Sequence, residues 1–231
     1  MVSNQSAYIK GHLLLENILM ATELIKDYHK DTIDRRCAFN IDISKAFNSV
    51  RWEFITLTLE AMGFPSLFIC WIYHCISTAN FSLVLNGVLG GFFNSLRGLR
   101  QGSFLSTYLF VIAINVLSHM LDKAARQGKI KFHHSCSEVC LMHLSFTDAM
   151  LVFLDGSPES LIATISVLSK FEKKSSLAIN ASKSLLFLAA KTYPSITQAV
   201  VNLHISPESL VRYLGLSHGQ NYVPGRLQTT H

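Results

Sequence analysis

Residues 37–47 read Cys37-Ala38-Phe39-Asn40-Ile41-Asp42-Ile43-Ser44-Lys45-Ala46-Phe47, and the aspartate in this apolar run sets the reading of the whole chain. The segment 37–43 has the apolar density of a short buried strand, and it carries a carboxylate at its end. A charge at such a place is costly unless something compensates it. Further on, residues 139–146 and 150–154 are apolar runs separated only by Thr147-Asp148-Ala149, which predicts a tight hairpin with an acidic tip. Taken singly, Asp148 reads as a turn residue and Asp42 as a cap leading a helix. Brought together on adjacent strands the two carboxylates would repel, and a hard divalent cation such as Mg²⁺ would make the arrangement favourable.

Working outward, helices and extended runs alternate. Helical spacing predicts helices over 13–28, 52–62, 66–77, 105–126 and 160–171. Gly63-Phe64-Pro65 stops the second, because glycine takes the left-handed cap conformation and proline cannot continue a helix. Residues 81–85 and 88–93 flank Asn86-Gly87, a turn pair that predicts a hairpin. A basic glycine loop follows, Arg97-Gly98-Leu99-Arg100-Gln101-Gly102. Residues 129–133, 177–179, 185–188 and 211–216 look extended. The pattern implies one α+β domain with a mainly antiparallel sheet, helices packed on one face and the other face open to a large ligand.

The composition bounds the partners. The chain has 231 residues, 49% hydrophobic and only 15% charged, which argues for a packed core and against disorder. The formal charge of +5 and a pI near 9.0 suit a polyanionic partner. The five cysteines are odd in number and irregularly spaced, so buried free thiols are expected. The spacing of His133, His134, Cys136, Cys140 and His143 fits no closed zinc pattern. Residues 1–8 lack a basic stretch followed by an apolar one, which predicts an intracellular protein rather than a secreted one. The apolar run 104–121 is broken by Ser106, Thr107, Asn115, Ser118 and His119, and is expected to be a buried helix rather than a membrane span.

Read together, three strings resemble a known family: 40–52 with Asp42, Phe47 and Trp52, then 97–102, then Leu144-Ser145-Phe146-Thr147-Asp148. They are similar, in order and spacing, to the reverse transcriptase of plant non-LTR (LINE-type) retrotransposons. Further matches are Ile9-Lys10-Gly11-His12 with Glu16-Asn17-Ile18, Asn180 with Lys183-Ser184, and Arg212-Tyr213-Leu214-Gly215-Leu216, so that the likeness covers roughly residues 9–216.

The resemblance implies a polymerase palm that carries out two-metal nucleotidyl transfer, with Mg²⁺, an RNA template, a DNA primer and a deoxynucleoside triphosphate as partners. It places Asp42 and Asp148 as metal ligands, with the Ile43 carbonyl as a further oxygen donor. Phe47 would exclude a ribose 2′-hydroxyl, Gln101 and Gly102 would lie against the incoming nucleotide, and Lys183 would protonate the leaving pyrophosphate. Arg97, Arg100, Tyr213 and Gly215 would contact nucleic acid. The cell compartment it implies is cytoplasm or nucleus.

The family has two adjacent aspartates at the hairpin tip, and here Ala149 follows Asp148. Ser103, Phe104 and Thr107 stand for a usual Asp, Pro and Pro, Asn48 for a usual Asp, and Ser217-His218 for a usual Pro-Leu. Fingers and thumb are expected to be incomplete, residues 1–231 to be a partial reverse transcriptase domain, and 217–231 a disordered tail. The departures imply a catalytically impaired copy. The alternatives are a non-catalytic RNA- or DNA-binding remnant and a transposon fragment with no function.

Overall fold

The computed structural model describes residues 14–26, 35–146, 149–189, 206–208, 211–213 and 216–218. In chain order the elements are α1 (Leu14–Ile25), β1 (Arg36–Asp42), α2 (Ala46–Ser49), α3 (Trp52–Ala61), α4 (Ser66–Ser77), β2 (Asn80–Leu85), β3 (Val88–Asn94), α5 (Phe104–Arg126), β4 (His143–Phe146), β5 (Ala149–Leu154), α6 (Pro158–Ser175), β6 (Leu185–Ala189), β7 (Ser206–Glu208), β8 (Val211–Tyr213) and β9 (Leu216–His218). Five strands form one sheet in the order β4-β5-β1-β6-β7. β1 pairs antiparallel with both β5 and β6, β4 pairs antiparallel with β5, and only the β6–β7 edge is parallel.

β1 is a strand because its side chains alternate between two interiors. Cys37, Phe39 and Ile41 point with Met150, Val152, Leu154 and Leu186 into the main core, against α3, α5 and α6. Ala38 points the other way, with Leu144, Leu151, Phe153 and Phe187. That second face is not fully open, which corrects the expectation of helices on one face only. Ala21 and Ile25 of α1 pack onto it, and Asn17 Nδ2 donates to the Ser145 carbonyl at 3.3 Å. Residues 17, 21 and 25 lie one helical turn apart and form the stripe that seals the base of this face. Asp42 lies beyond the sealed part, at the strand end.

α5 is buried along one stripe that includes Leu109, Phe110, Ala113, Ile114, Leu117 and Leu121, as expected of a core helix. It is long and apolar enough to cross a membrane, and half of that apolar stretch is buried inside the fold. Asn115 is half-buried and His119 exposed, so both polar groups reach an edge.

Several local features depart from the expectations. Residues 139–142 leave the strand expected over 139–146, because Ser135 N–H donates to His133 Nδ1 and Leu141 N–H to the Cys136 carbonyl, closing turns that compete with a ladder. Residues 177–179 contribute one isolated bridge, Ile43 to Ile179, and the run 211–216 divides between β8 and β9. Ser217 and His218 belong to β9, while 219–231 lie outside the described residues. All five cysteines are free, yet only Cys37 and Cys136 are buried; Cys70, Cys75 and Cys140 are exposed. α4 is apolar all round but turns only Ile72 and Ile76 fully into the core, which leaves Cys70 and Cys75 outside.

Among the described residues, two histidines are fully buried. His143 Nε2 meets Ser118 Oγ at 2.9 Å, and its Nδ1 lies 3.9 Å from Asp122 Oδ1. Burial pushes His143 down to about 4, with His119 adding to the effect, so the imidazole is neutral near pH 7 and the contact with Asp122 is not an ion pair. Burial likewise lowers His133 to about 4, aided by Arg36 and His134. An unfolded histidine titrates near 6.5, so the unfolded chain binds more protons than the folded one between about pH 6.5 and 4. The stability these two neutral rings confer is whole above pH 6.5 and is lost on acidification toward pH 4. The urea midpoint is expected to fall between pH 7 and pH 4.5, and His143→Gln should flatten that slope. An unchanged pH slope in His143→Gln would show that this ring is not titrating on unfolding.

Candidate active site

The end of β1 is held by its main chain. Asp42 N–H donates to Ser184 Oγ at 3.1 Å, and the Asp42 carbonyl accepts from Asn180 N–H at 2.8 Å. Ser44 N–H continues the join by donating to the Ala178 carbonyl at 2.9 Å, either side of the Ile43–Ile179 bridge. Ser184 is fully buried, so its hydroxyl is committed to this contact. Lys183 lies in the turn between Asn180 and Ser184: Lys183 N–H donates to the Asn180 carbonyl at 3.1 Å, Ser182 Oγ donates to Asn180 Oδ1 at 2.8 Å, and the Lys183 side chain is exposed.

Across the sheet, Asp42 is the direct partner of Ala149, which in turn pairs with Phe146. The position expected to carry the missing carboxylate therefore faces Asp42 with a methyl group. Asp148 lies outside the described residues, as does Gly215, while Tyr213 is placed in β8. Among the described residues, no three His, Cys, Asp or Glu side chains come together to hold a metal ion. Asp42 is the one described carboxylate at this strand end, and two divalent ions would need further oxygen donors beside it. The Ile43 carbonyl belongs to a residue that is itself buried in the main core.

The glycine loop is docked onto the turn that follows β1. Gly98 N–H donates to the Val50 carbonyl at 2.8 Å, Leu99 N–H to the Phe47 carbonyl at 2.6 Å, and Trp52 Nε1 to the Gly98 carbonyl at 2.6 Å. Phe47 stacks on Phe110 with centroids 4.7 Å apart and packs against the main core, so core packing occupies much of the side chain assigned to sugar selection. Gln101 and Gly102 are exposed at the far end of the loop, and Arg100 is exposed between them and Leu99. Arg97 points elsewhere, into a pocket with Arg51 and Trp52. Arg97 and Arg100, both assigned to nucleic acid by the resemblance, thus have different surroundings.

Sequence reasoning missed Gly98, Ser184 and Asn180 as holders of the site. Gly98 had a visible signal, as one of two glycines in a short basic loop. Ser184 is 142 positions from Asp42 in the chain, and no local pattern announces such a contact. Ser118, His143 and Asp122 also line up in the manner of a nucleophile, base and orienting acid. Ser118 and His143 are buried, and 3.9 Å is too long for a hydrogen bond, so the set is a core contact and not a reactive one.

The comparisons with known proteins agree with this architecture. The reverse transcriptase (RNA-dependent DNA polymerase) family matches across residues 1–218. The chain belongs to that family. An uncharacterized mitochondrial protein of Arabidopsis thaliana is 38% identical over 66 residues, a stretch that covers 28% of this chain and 54% of that protein. Telomerase from Candida albicans, in complex with a fragment of telomeric RNA, superposes with a TM-score of 0.61 at 12% identity over 92% of this chain. Apo telomerase from Candida tropicalis, truncated from its C-terminal domain, gives 0.59 at 12% identity, again over 92%. The chain spans about half the length of the curated relative and 33% and 39% of the two telomerase chains. At such identity the telomerase likeness establishes the fold, which is the polymerase palm.

The loop docking makes a differential prediction. A Cβ on Gly98 would meet the Asn48 carbonyl oxygen at 2.7 Å with φ at +89°, whereas one on Gly102, at φ +84°, would meet nothing within 4 Å. Gly102→Ala should therefore cost about 1 kcal/mol for its backbone conformation alone, and Gly98→Ala about 2 kcal/mol or more. Denaturant unfolding of the two variants checks the order, and equal losses would show that the loop is not docked at Gly98.

Proposed function

We propose that this chain is a reverse transcriptase palm, descended from a plant LINE-type element, whose two-ion centre has lost a ligand while its capacity to hold nucleic acid remains. The observation that carries this is the register that sets Ala149 opposite Asp42. In an intact centre the second tip aspartate would occupy that place. Even an outer partner of a metal ligand is worth about 10–100-fold in affinity or activity, so a directly bound carboxylate should cost at least as much.

The rest of the apparatus is assigned on the resemblance. Asp42 and Asp148 remain to hold Mg²⁺. The exposed Lys183, held in the turn that clamps Asp42, is placed to give a proton to leaving pyrophosphate. Gln101 and Gly102 face the nucleotide, and Arg100 faces phosphate. The partners are an RNA template, a DNA primer and a deoxynucleoside triphosphate; the description of one neighbouring telomerase in complex with telomeric RNA supports an RNA partner. A net charge of +5 supports the same reading, and the cytoplasm or nucleus is the compartment it fits. The second reading, a binding remnant without catalysis, is favoured by the same methyl group.

The unmodified chain should show no detectable primer extension on an RNA template with Mg²⁺. Ala149→Asp alone should not suffice, because one carboxylate restores a metal ligand without aligning the primer hydroxyl on a template–primer duplex. Ala149→Asp combined with grafted fingers and thumb from an active relative should incorporate nucleotide, and Asp42→Asn should abolish that. Robust incorporation by the unmodified chain, abolished by Asp42→Asn, would overturn the proposal.

A further inference from the structure

A second feature lies apart from the end of β1. The opening turn of α3, α4, the segment after β3 and the cap of α6 enclose a pocket of about 650 Å³, lined by Arg51, Trp52, Tyr73, Leu96, Arg97 and Ser176, with Glu53 and Thr56 at its rim. Apart from Arg97, which the resemblance assigns to nucleic acid, none of these residues belongs to the site set that the resemblance implies.

The pocket is built rather than incidental. Arg51 N–H donates to the Ser175 carbonyl at 3.0 Å, which joins the α3 wall to the α6 cap. The indole N–H of Trp52 is spent on the Gly98 carbonyl at 2.6 Å, so the ring is pinned in place. Tyr73 meets that ring at 89° with centroids 6.2 Å apart, and the two make one aromatic wall. Arg51 carries a 2.6 Å ion pair to Glu53 that is open to solvent and therefore easily exchanged for a stronger anion. Arg97 adds a second guanidinium, exposed and on a separate segment.

We infer that this pocket is a second nucleic-acid contact, taking one or two nucleotides of a single strand, with a base against Trp52 and Tyr73 and phosphate between Arg51 and Arg97. The inference rests on the nucleic-acid part of the function proposed above. Aromatic walls flanked by cations bind unstacked bases without regard to sequence, at about 1–3 kcal/mol per stacked base. A concave pocket of this volume admits a splayed nucleotide, whereas the bases of a duplex stay stacked inside it. The hydroxyl of Ser176 adds a hydrogen-bonding group suited to a sugar or a base edge, while Thr56 Oγ1 already donates to the Glu53 carbonyl at 3.0 Å and is left only to accept.

The test is fluorescence anisotropy of the full chain with a labelled eight-nucleotide uridine strand, titrated at several salt concentrations. Arg51→Ala with Arg97→Ala should raise Kd about 10-fold and lower the slope of log affinity against log salt by about 1.4, the value for two phosphates on a single strand. Tyr73→Ala should weaken binding about 5-fold or more, with Tyr73→Phe restoring most of it. Glu53→Gln, which releases Arg51, should tighten binding, a gain that loss of folding cannot imitate. Lys129→Ala, at an exposed position remote from the pocket lining, is the charge control. Binding that survives the double arginine change with its salt slope intact would overturn the inference and leave the nucleic-acid reading standing. An unmodified chain that binds no oligonucleotide would overturn both.

Discussion

Asp42 is fixed through its backbone, and the rest of the site is arranged around that fixture. Its N–H and C=O are both engaged by the 180–184 turn, and its Cα faces Ala149 across the β1–β5 ladder. A buried hydrogen bond of the Ser184 kind contributes about 1 kcal/mol, a modest sum. Its larger consequence is geometric: Asp42, the 180–184 turn and Ala149 are brought to one end of one sheet. The glycine loop is joined to the segment just after that strand, through the carbonyls of Phe47 in α2 and Val50, so it too is anchored near the end of β1.

This arrangement explains how fold and chemistry can part. The pairing of Ala149 with Asp42 uses main-chain groups, and a methyl group at that position satisfies the ladder as well as a carboxylate would. Removing a negative charge from the neighbourhood of Asp42 also relieves repulsion that only a cation would otherwise offset. The sheet, the α5 core and the α1 seal are all present here with Ala149 at the position that faces Asp42.

The sequence was legible where structure is local. The run ending on Asp42, the Asn86-Gly87 hairpin with φ of 50° and 81°, and the extent of α5 could all be read from short stretches. So could the Asp42 and Ala149 positions, by resemblance. Contacts that join distant segments were not legible. The stripe of α1 signalled an amphipathic helix and said nothing about which face of the sheet it would cover. Ser184 and Gly98 hold the site through backbone geometry that no periodicity encodes. The exposure of β2 and β3, with Leu83, Val84, Leu85, Val88, Leu89 and Phe92 all in solvent, was equally invisible, because a continuous apolar run looks the same whether or not a partner covers it.

The central claim is that Ala149 is the chemical defect at an otherwise well-formed strand end. Manganese binding followed by electron paramagnetic resonance tests it most directly, without requiring turnover. Ala149→Asp should bind Mn²⁺ at least about 10-fold more tightly than the unmodified chain, and adding Asp42→Asn should abolish the gain. An unmodified chain that already binds Mn²⁺ as tightly as Ala149→Asp, with the affinity lost in Asp42→Asn, would contradict the account.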